Sequence, residues 1–254
     1  MEYRVAIPSY KRADLIQKKT LNYLQECNID PACIDIFVAN KEEYEQYKTN
    51  IPKELYKDLI IAEVGLDNAR KKIREHYPQG MNIFHLDDDI ECLQILKNNQ
   101  LIKITELDKY IRFGFKLMRK ERTKLCGIYA VQNHFFMDNS YSKGLYFCVG
   151  SCYWQINDKD PFLDLICDEK EDYQRTIKSY IKYGSVIRFN NITAKTDYYN
   201  TKGGMQEDRS LDKINSIGNY LIKKYPQFVR HNTTRKKRFE ILFKRQKNNR
   251  KVSF

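Results

Sequence analysis

The sequence predicts an α/β fold, a sheet with covering helices, and three observations carry that prediction. Short apolar runs alternate with helix-patterned stretches through the first half of the chain. A length of 254 residues is enough to bury one core as a single domain. With 42% hydrophobic and 31% charged residues, the composition is that of a globular chain, and no apolar run approaches a membrane span.

Taken in order, Tyr3–Pro8 reads as a first strand that Pro8-Ser9 ends. A helix follows, with Asp14 as N-cap and Leu15, Leu21 and Leu24 along it. Ile34–Ala39, Leu59–Val64 and Asn82–Leu86 supply the second, third and fourth strands. Between the last two, Gly65-Leu66-Asp67-Asn68 turns into a basic helix that Asp67 or Asn68 caps and Pro78-Gln79-Gly80 closes. Leu107–Lys124 has helical spacing, and Ile128–Val131 and Leu145–Val149 read as strands. Glu171–Tyr183 is a helix with Gly184 at its C′ position; Val186–Phe189 and Ile192–Lys195 are strands. Gln206–Lys224 returns to helical period, and Phe239–Phe243 is a strand or a helix turn. No repeat interrupts this order, which divides the chain into a domain over 1–234 and a basic C-terminal extension over 235–254.

The formal net charge is +12, and eight of those charges come from residues 235–254, where nine Lys or Arg face one acid, Glu240. Such a segment attracts polyanions or anionic lipid, or is simply a solvated tail. Seven cysteines without a Cys-x-x-Cys pair suggest reduced thiols in a cytoplasmic compartment. The chain runs from Met1 straight into a strand, which leaves no room for a secretory signal.

The sharpest feature is Asn82-Ile83-Phe84-His85-Leu86-Asp87-Asp88-Asp89, an apolar strand running into three carboxylates. In extended geometry Asp87 and Asp89 share one face, and two carboxylates near a core call for a cation between them. Mg²⁺ or Mn²⁺ suits oxygen ligands of this kind and would bridge diphosphate oxygens. An acidic turn in solvent is the plainer reading. His85, one alternation away, reads as a core residue.

Here the sequence resembles the GT-A class of glycosyltransferases, whose nucleotide-binding half ends in an Asp-x-Asp motif. Val5-Ala6-Ile7-Pro8-Ser9-Tyr10-Lys11-Arg12 resembles the first strand and loop that hold the donor nucleotide. Gly65-Leu66-Asp67-Asn68-Ala69-Arg70 resembles the segment approaching base, ribose or diphosphate, and Lys170-Glu171-Asp172 the acidic pair facing the acceptor. The resemblance implies a mixed, mainly parallel sheet flanked by helices, a UDP-sugar donor and hexosyl transfer. It places Pro8, Ser9, Tyr10, Arg12, Asn68, Arg70, Arg74, Asp87 and Asp88 at the donor, and Asp89 and Asp87 on the metal. The class often adds a late histidine ligand, a place that His231 fits.

Physical chemistry supports these roles separately. Arg70, Lys71 and Arg74 sit on or near one helical face, at whose N-terminus phosphate is favoured, and Arg12 suits a bidentate phosphate clamp. Asp172, or else Glu171, would take a proton from an acceptor hydroxyl if the reaction inverts; acids in a first turn also simply stabilise the helix. The aromatics of Gly144–Trp154 and the glycine pair in Lys202-Gly203-Gly204-Met205-Gln206 are candidates for the acceptor side, the aromatics otherwise for core packing.

More loosely, the chain resembles phage and viral GT-A enzymes that glycosylate hydroxymethylated bases in DNA, which would place it in a host cytoplasm with DNA as acceptor. A cell-surface polysaccharide is the rival acceptor. A metal-dependent nuclease explains the carboxylates, but leaves the first-strand motif and Gly65–Arg70 without a role. A non-enzymatic binding module gives the carboxylates none.

Overall fold

The computed structural model describes residues 1–196, 211–234 and 240–254. The N-terminal half runs β1 (Arg4–Ser9), α1 (Ala13–Ile16), α2 (Asn22–Glu26), β2 (Ile34–Val38), α3 (Lys41–Asn50), β3 (Asp58–Ile61), α4 (Leu66–His76) and β4 (Asn82–Leu86). Then come β5 (Ile90–Lys97), β6 (Gln100–Lys103), α5 (Leu107–Lys120), β7 (Leu125–Tyr129), β8 (Ser140–Gly144) and β9 (Cys152–Ile156). The chain closes with α6 (Glu171–Tyr183), β10 (Val186–Thr196), α7 (Leu211–Lys224), β11 (Val229–His231), β12 (Ile241–Phe243) and β13 (Arg250–Ser253).

Most strands form one mixed sheet in the order β13-β8-β10-β7-β9-β4-β1-β2-β3, with β5 and β6 attached beyond β10. Pairing is parallel across β3, β2, β1 and β4, and again between β7 and β10. β9 lies antiparallel between β4 and β7, so those two point the same way as β1. The expected α/β sheet flanked by helices is therefore present, its parallel run concentrated in the N-terminal half.

Central strands are buried on both faces, and period two sorts their side chains. Ala6, Phe37 and Ile83 pack with Ile73 and Tyr77 at α4, while Val5, Ile7, Ile36, Val38, Phe84 and Leu86 join the larger core on the other face. Buried Asp35 is compensated by Arg4, whose Nε lies at 3.0 Å, and by the Tyr77 hydroxyl at 2.5 Å.

Several expected boundaries shift. The strand expected over Leu145–Val149 lies instead at Ser140–Gly144. Gly144 turns the chain at φ 131°, and Asn249 then binds both backbone groups of Leu145, at 2.7 and 3.1 Å. β5, β6 and β9 had no counterpart in the expected order, whereas the two segments after Gly184 are one strand, β10. Neither Asp14 nor Asp67 caps a helix: α1 follows Arg12, and α4 follows Gly65, whose φ of 110° suits glycine.

Beyond the boundary drawn at 234/235 from composition, residues 240–254 pair with strands of the preceding part of the chain. β12 pairs with β11, and that hairpin packs on α6 and α7 through Val229, Ile241, Ile177 and Leu221. β13 pairs with β8 at the edge of the main sheet, and Arg250 reaches Glu121 at 3.0 Å. Arg235, Lys236, Lys237 and Arg238, and the Lys202–Gln206 segment, lie outside the described residues.

Candidate active site

β1 is followed by β2 on one side, while β4 enters on its other side. The carboxyl ends of β1 and β4 therefore flank a topological switch point, where open α/β sheets form a crevice. Their ladder ends at Ala6↔His85, so Pro8, buried and without an N–H, falls where the two strands have already parted.

Ser9 and Arg12 come from the β1 side and the three aspartates from the β4 side. The Ser9 hydroxyl donates to Asp88 Oδ2 at 2.6 Å and shares a 2.7 Å bond with the Tyr47 hydroxyl. Arg12 Nη1 donates to Asp88 Oδ1 at 3.0 Å and lies 3.6 Å from Asp89. Helix α3 holds this loop, since Tyr47 accepts from the Arg12 amide at 3.0 Å and Glu43 from the Lys11 amide at 2.8 Å. Tyr10 is half-buried, with the Lys11 ammonium 5.0 Å from its ring centre.

The aspartates form a turn rather than a strand extension. Leu86 is the last residue of β4, Asp88 and Asp89 make the turn, and both face Arg12, so the expected sharing of a face by Asp87 and Asp89 alone does not hold. The turn is clamped from a π-helical stretch, Gln17–Leu21, between α1 and α2. There Thr20 Oγ1 donates to the Asp87 carbonyl at 2.7 Å and accepts from the Ile90 amide at 2.9 Å.

Asp87 pairs with a different arginine. It accepts from Arg70 Nη2 at 3.0 Å, and the same nitrogen donates to the Gly150 carbonyl at 3.0 Å. Gly150 is where the acidic pair arrives: a β-carbon there would stand 2.7 Å from Glu171 Oε1 and 3.8 Å from the Asp172 β-carbon. Arg70 and Gly150 thus connect the aspartate turn to the start of α6. The three segments the sequence singled out around Asp87–Asp89 are linked to it through Ser9 and Arg12, through Arg70, and through Gly150 to Glu171.

Burial pushes the Asp88 carboxyl up to about 6, against Arg12 and Ser9, which stabilise its charge. Burial also pushes Asp87 up to about 7; Arg70 opposes, Asp89 and Asp88 reinforce, and solvent at the third of its side chain that is exposed screens part of that rise. Such a cluster favours an added cation. Asp88 uses both oxygens within the protein, whereas Asp87 and Asp89 each face one guanidinium through one oxygen. Among the described residues no three Asp, Glu, His or Cys side chains converge on one point. The donor set fits an Mg²⁺ or Mn²⁺ that takes two carboxylates and completes its shell from phosphate and water.

Other expected residues land elsewhere. Arg74 is buried with its guanidinium committed to the loop before α6: it donates to the Asp160 carbonyl at 2.7 Å and pairs with Asp164, so it supports that loop rather than the crevice. Asn68 bonds back to the Val64 carbonyl at 2.7 Å, shaping the turn before α4. His231 is exposed at the end of β11 and pairs across the hairpin with Ile241; no described contact links it to the aspartates. Glu171, a candidate base, gives both oxygens to Arg175 at 2.9 and 2.6 Å and is 3% exposed, which makes it a positioning residue. Asp172 instead accepts from the Tyr173 amide at 2.9 Å, and burial, with Glu171 next to it, pushes it up to about 6.

Tyr153 and Trp154 are core residues, not acceptor contacts. Tyr153 stacks on His85 at 4.1 Å and carries the Arg175 guanidinium 3.8 Å from its ring centre. Burial holds His85 well below the usual imidazole range, so it is neutral beside Arg70. Nothing local marks Tyr47 and Thr20, whose partners Ser9 and Asp87 are 38 and 67 positions away, whereas Arg175 stands four residues after Glu171, a helical spacing that could have revealed it.

No family model and no curated protein matches the chain. Solved structures do resemble it. Residues 1–349 of S. aureus TarS in complex with UDP-GlcNAc superpose with TM-score 0.56 at 11% identity, over 87% of this chain and 67% of that one. Glucosyl-3-phosphoglycerate synthase from Mycobacterium tuberculosis with phosphoglyceric acid gives 0.53 at 9% identity, over 90% and 83%. The same synthase with Mn²⁺, UDP and glucosyl-3-phosphoglycerate gives 0.51 at 8%, over 98% and 89%. At such identities the likeness is one of fold, and the chain has the mixed α/β, GT-A-like architecture of these proteins.

Proposed function

We propose that this protein is a metal-dependent glycosyltransferase that moves a sugar, as a hexosyl group, from a UDP-sugar to a hydroxyl acceptor. One observation carries the reading: Ser9, Arg12 and Asp87–Asp89 share the crevice at the β1/β4 switch point, and Arg70 and Gly150 join it to Glu171–Asp172. Structures of similar fold holding UDP-GlcNAc, or UDP with Mn²⁺, support it.

Asp87 and Asp89 would hold Mn²⁺ or Mg²⁺, which when bound neutralises charge on the departing diphosphate. Asp88 keeps Arg12 and Ser9 in place at the mouth of the crevice. Asp172, with an affinity for protons raised towards neutrality, takes the proton of the acceptor hydroxyl. Glu171, locked on Arg175, sustains that raised affinity through its own charge.

For a hydroxymethylated base in DNA, the support is the net charge of +12, part of which sits on strand-forming residues 240–254. The deciding experiment titrates UDP with and without Mn²⁺ into wild type and Asp89→Ala. Metal-dependent binding, weakened at least about tenfold in the variant, is expected. Absence of UDP binding, with Mg²⁺-dependent cleavage of DNA instead, would overturn the glycosyltransferase reading in favour of a nuclease.

A further inference from the structure

Arg12, Arg70, Arg74 and Arg175 each face a carboxylate. Arg188, on β10 and half-buried, does not. Its Nε and Nη2 both donate to a single neutral acceptor, Asn190 Oδ1, at 3.1 and 3.0 Å. The guanidinium lies 4.9 Å from the Tyr129 ring centre and 5.3 Å from that of Tyr146. Among the described residues no carboxylate comes within salt-bridge distance of it, and Nη1 has no partner there. Asn190 is itself anchored, donating to Ser140 and Ser142 at 2.8 and 2.9 Å, so the guanidinium is held in a fixed orientation. A partly desolvated cation whose hydrogen bonds go to one amide oxygen, with two π faces beside it and Asp138 acting on it only from beyond salt-bridge distance, is an incomplete arrangement, and an oxyanion would complete it.

Its position gives the vacancy a meaning. Arg188 is in register with Gly127 of β7, two residues before Tyr129, and the carboxyl end of β7 lies on the same edge of the sheet as Ser9 and Asp87. Tyr146 opens the segment whose far end, Gly150, touches Arg70, Glu171 and Asp172. Midway along, the Cys148 carbonyl accepts from Arg175 at 3.1 Å, and its thiol lies 3.4 Å from the carbonyl of Ile187, next to Arg188. Four residues of chain separate Tyr146 from Gly150, a reach of at most about 14 Å. That is an upper limit on the separation, and a small phosphorylated or acidic acceptor is the class of molecule short enough to fit within it.

We propose that Arg188, between Tyr129 and Tyr146, binds an anionic group of the acceptor, a phosphate or a carboxylate, at a distance from the hydroxyl presented to Asp172. The proposal rests on the glycosyltransferase reading and specifies its acceptor class. The two tyrosine rings lie 4.9 and 5.3 Å from the guanidinium, and Nη1 is the donor left for the incoming anion.

The test titrates inorganic phosphate into wild type, Arg188→Gln and Arg188→Lys with UDP and Mn²⁺ saturating, so that the diphosphate site is occupied. Phosphate affinity should fall at least about tenfold in Arg188→Gln and less in Arg188→Lys, with UDP affinity unchanged in both. Acetate in place of phosphate separates a carboxylate subsite from a phosphate subsite. Transfer to glycerol phosphate should show a lower KM than transfer to glycerol in wild type, and Arg188→Gln should lose that difference. Equal anion affinity in wild type and both variants would overturn the proposal. If UDP itself fails to bind wild type, the glycosyltransferase reading falls, and the phosphate comparison is still read without UDP. Arg188→Lys keeps the test available should the glutamine variant not fold.

Discussion

The two acidic turns that meet across Gly150 are built on one plan. At the end of β4, Asp88 is tied by Arg12 and Ser9, while its neighbours Asp87 and Asp89 each keep a single guanidinium contact. At the start of α6, Glu171 is tied through both oxygens to Arg175, while Asp172 meets only a backbone amide among its described hydrogen bonds. In each, one buried acid is immobilised, and its charge raises the proton affinity of the acid beside it. The plans diverge in what surrounds the freer acids. Asp87 and Asp89 lie beside two arginines at the open ends of strands, where the proposed dication and diphosphate would complete the charge balance. Asp172 has no ion pair of its own and lies next to the charge of Glu171, which suits a proton acceptor. On the proposed function, the immobilised acid would be structural at both corners and the chemistry would fall to its neighbour.

The strongest challenge to that division is Asp172→Asn. Removing a general base costs about 10²–10⁴-fold in transfer rate, while UDP–Mn²⁺ affinity should remain within about twofold of wild type. Turnover and calorimetry on the same preparation measure both. A parallel loss of UDP affinity would mean that the two corners do not divide the labour.

Next in size is Arg175→Met, which strands the buried charge of Glu171. Breaking a buried pair costs about 3–5 kcal/mol, roughly 6–20 °C in Tm for a chain of this length. Adding Glu171→Gln should restore most of it, because the uncompensated charge goes with the partner. A scan of the two single variants and the double variant decides whether Glu171 is held for position. If Glu171→Gln alone abolishes transfer without lowering Tm, it is a reacting group after all.

How far the sequence reveals this plan depends on how local each contact is. The apolar run into Asp87–Asp89 marks the crevice, because charge at a strand end is visible from neighbours alone, and Arg12 and Arg70 follow from short basic segments after a strand and a glycine turn. The turn at Asp88 and Asp89 is different: it is imposed by Thr20, 67 residues from Asp87, so strand alternation misjudges which carboxylates share a face. Arg74 resembles Arg70 one helical turn earlier, yet its partner is Asp164, 90 residues on, and no helix pattern shows that. Glu171 and Asp172 differ in the sequence only in that Arg175 stands four residues after Glu171; the close approach of Gly150 to the Glu171 carboxylate separates them further. The basic C-terminal segment looks like a tail by composition, because an edge strand needs few apolar residues of its own. Histidine arithmetic fails at His231 for a plainer reason, since late placement says nothing about proximity.

Glu121 sharpens the comparison from outside the crevice. It is 8% exposed, and burial alone would push its carboxyl up, as at Asp88. Three donors outweigh burial: Lys143 at 2.9 Å, the Tyr141 hydroxyl at 2.8 Å and Arg250 at 3.0 Å. The result is a value lowered from 4.5 to about 2. A depressed carboxyl adds stability that is fully present above its unfolded value near 4.5 and is lost as pH falls towards 2. Glu121→Gln should therefore cost up to about 3 kcal/mol at pH 7, and the gap to wild type should close between about pH 4.5 and 2. Denaturant melts across that range measure it. A gap that stays constant with pH would show that packing, not charge, holds β13 to the sheet. Glu121 has its charge stabilised by surplus donors, whereas Asp87 and Asp172 are raised by burial that their neighbours do not fully offset, so the acid at the sheet edge and the freer acids of the two turns shift in opposite directions.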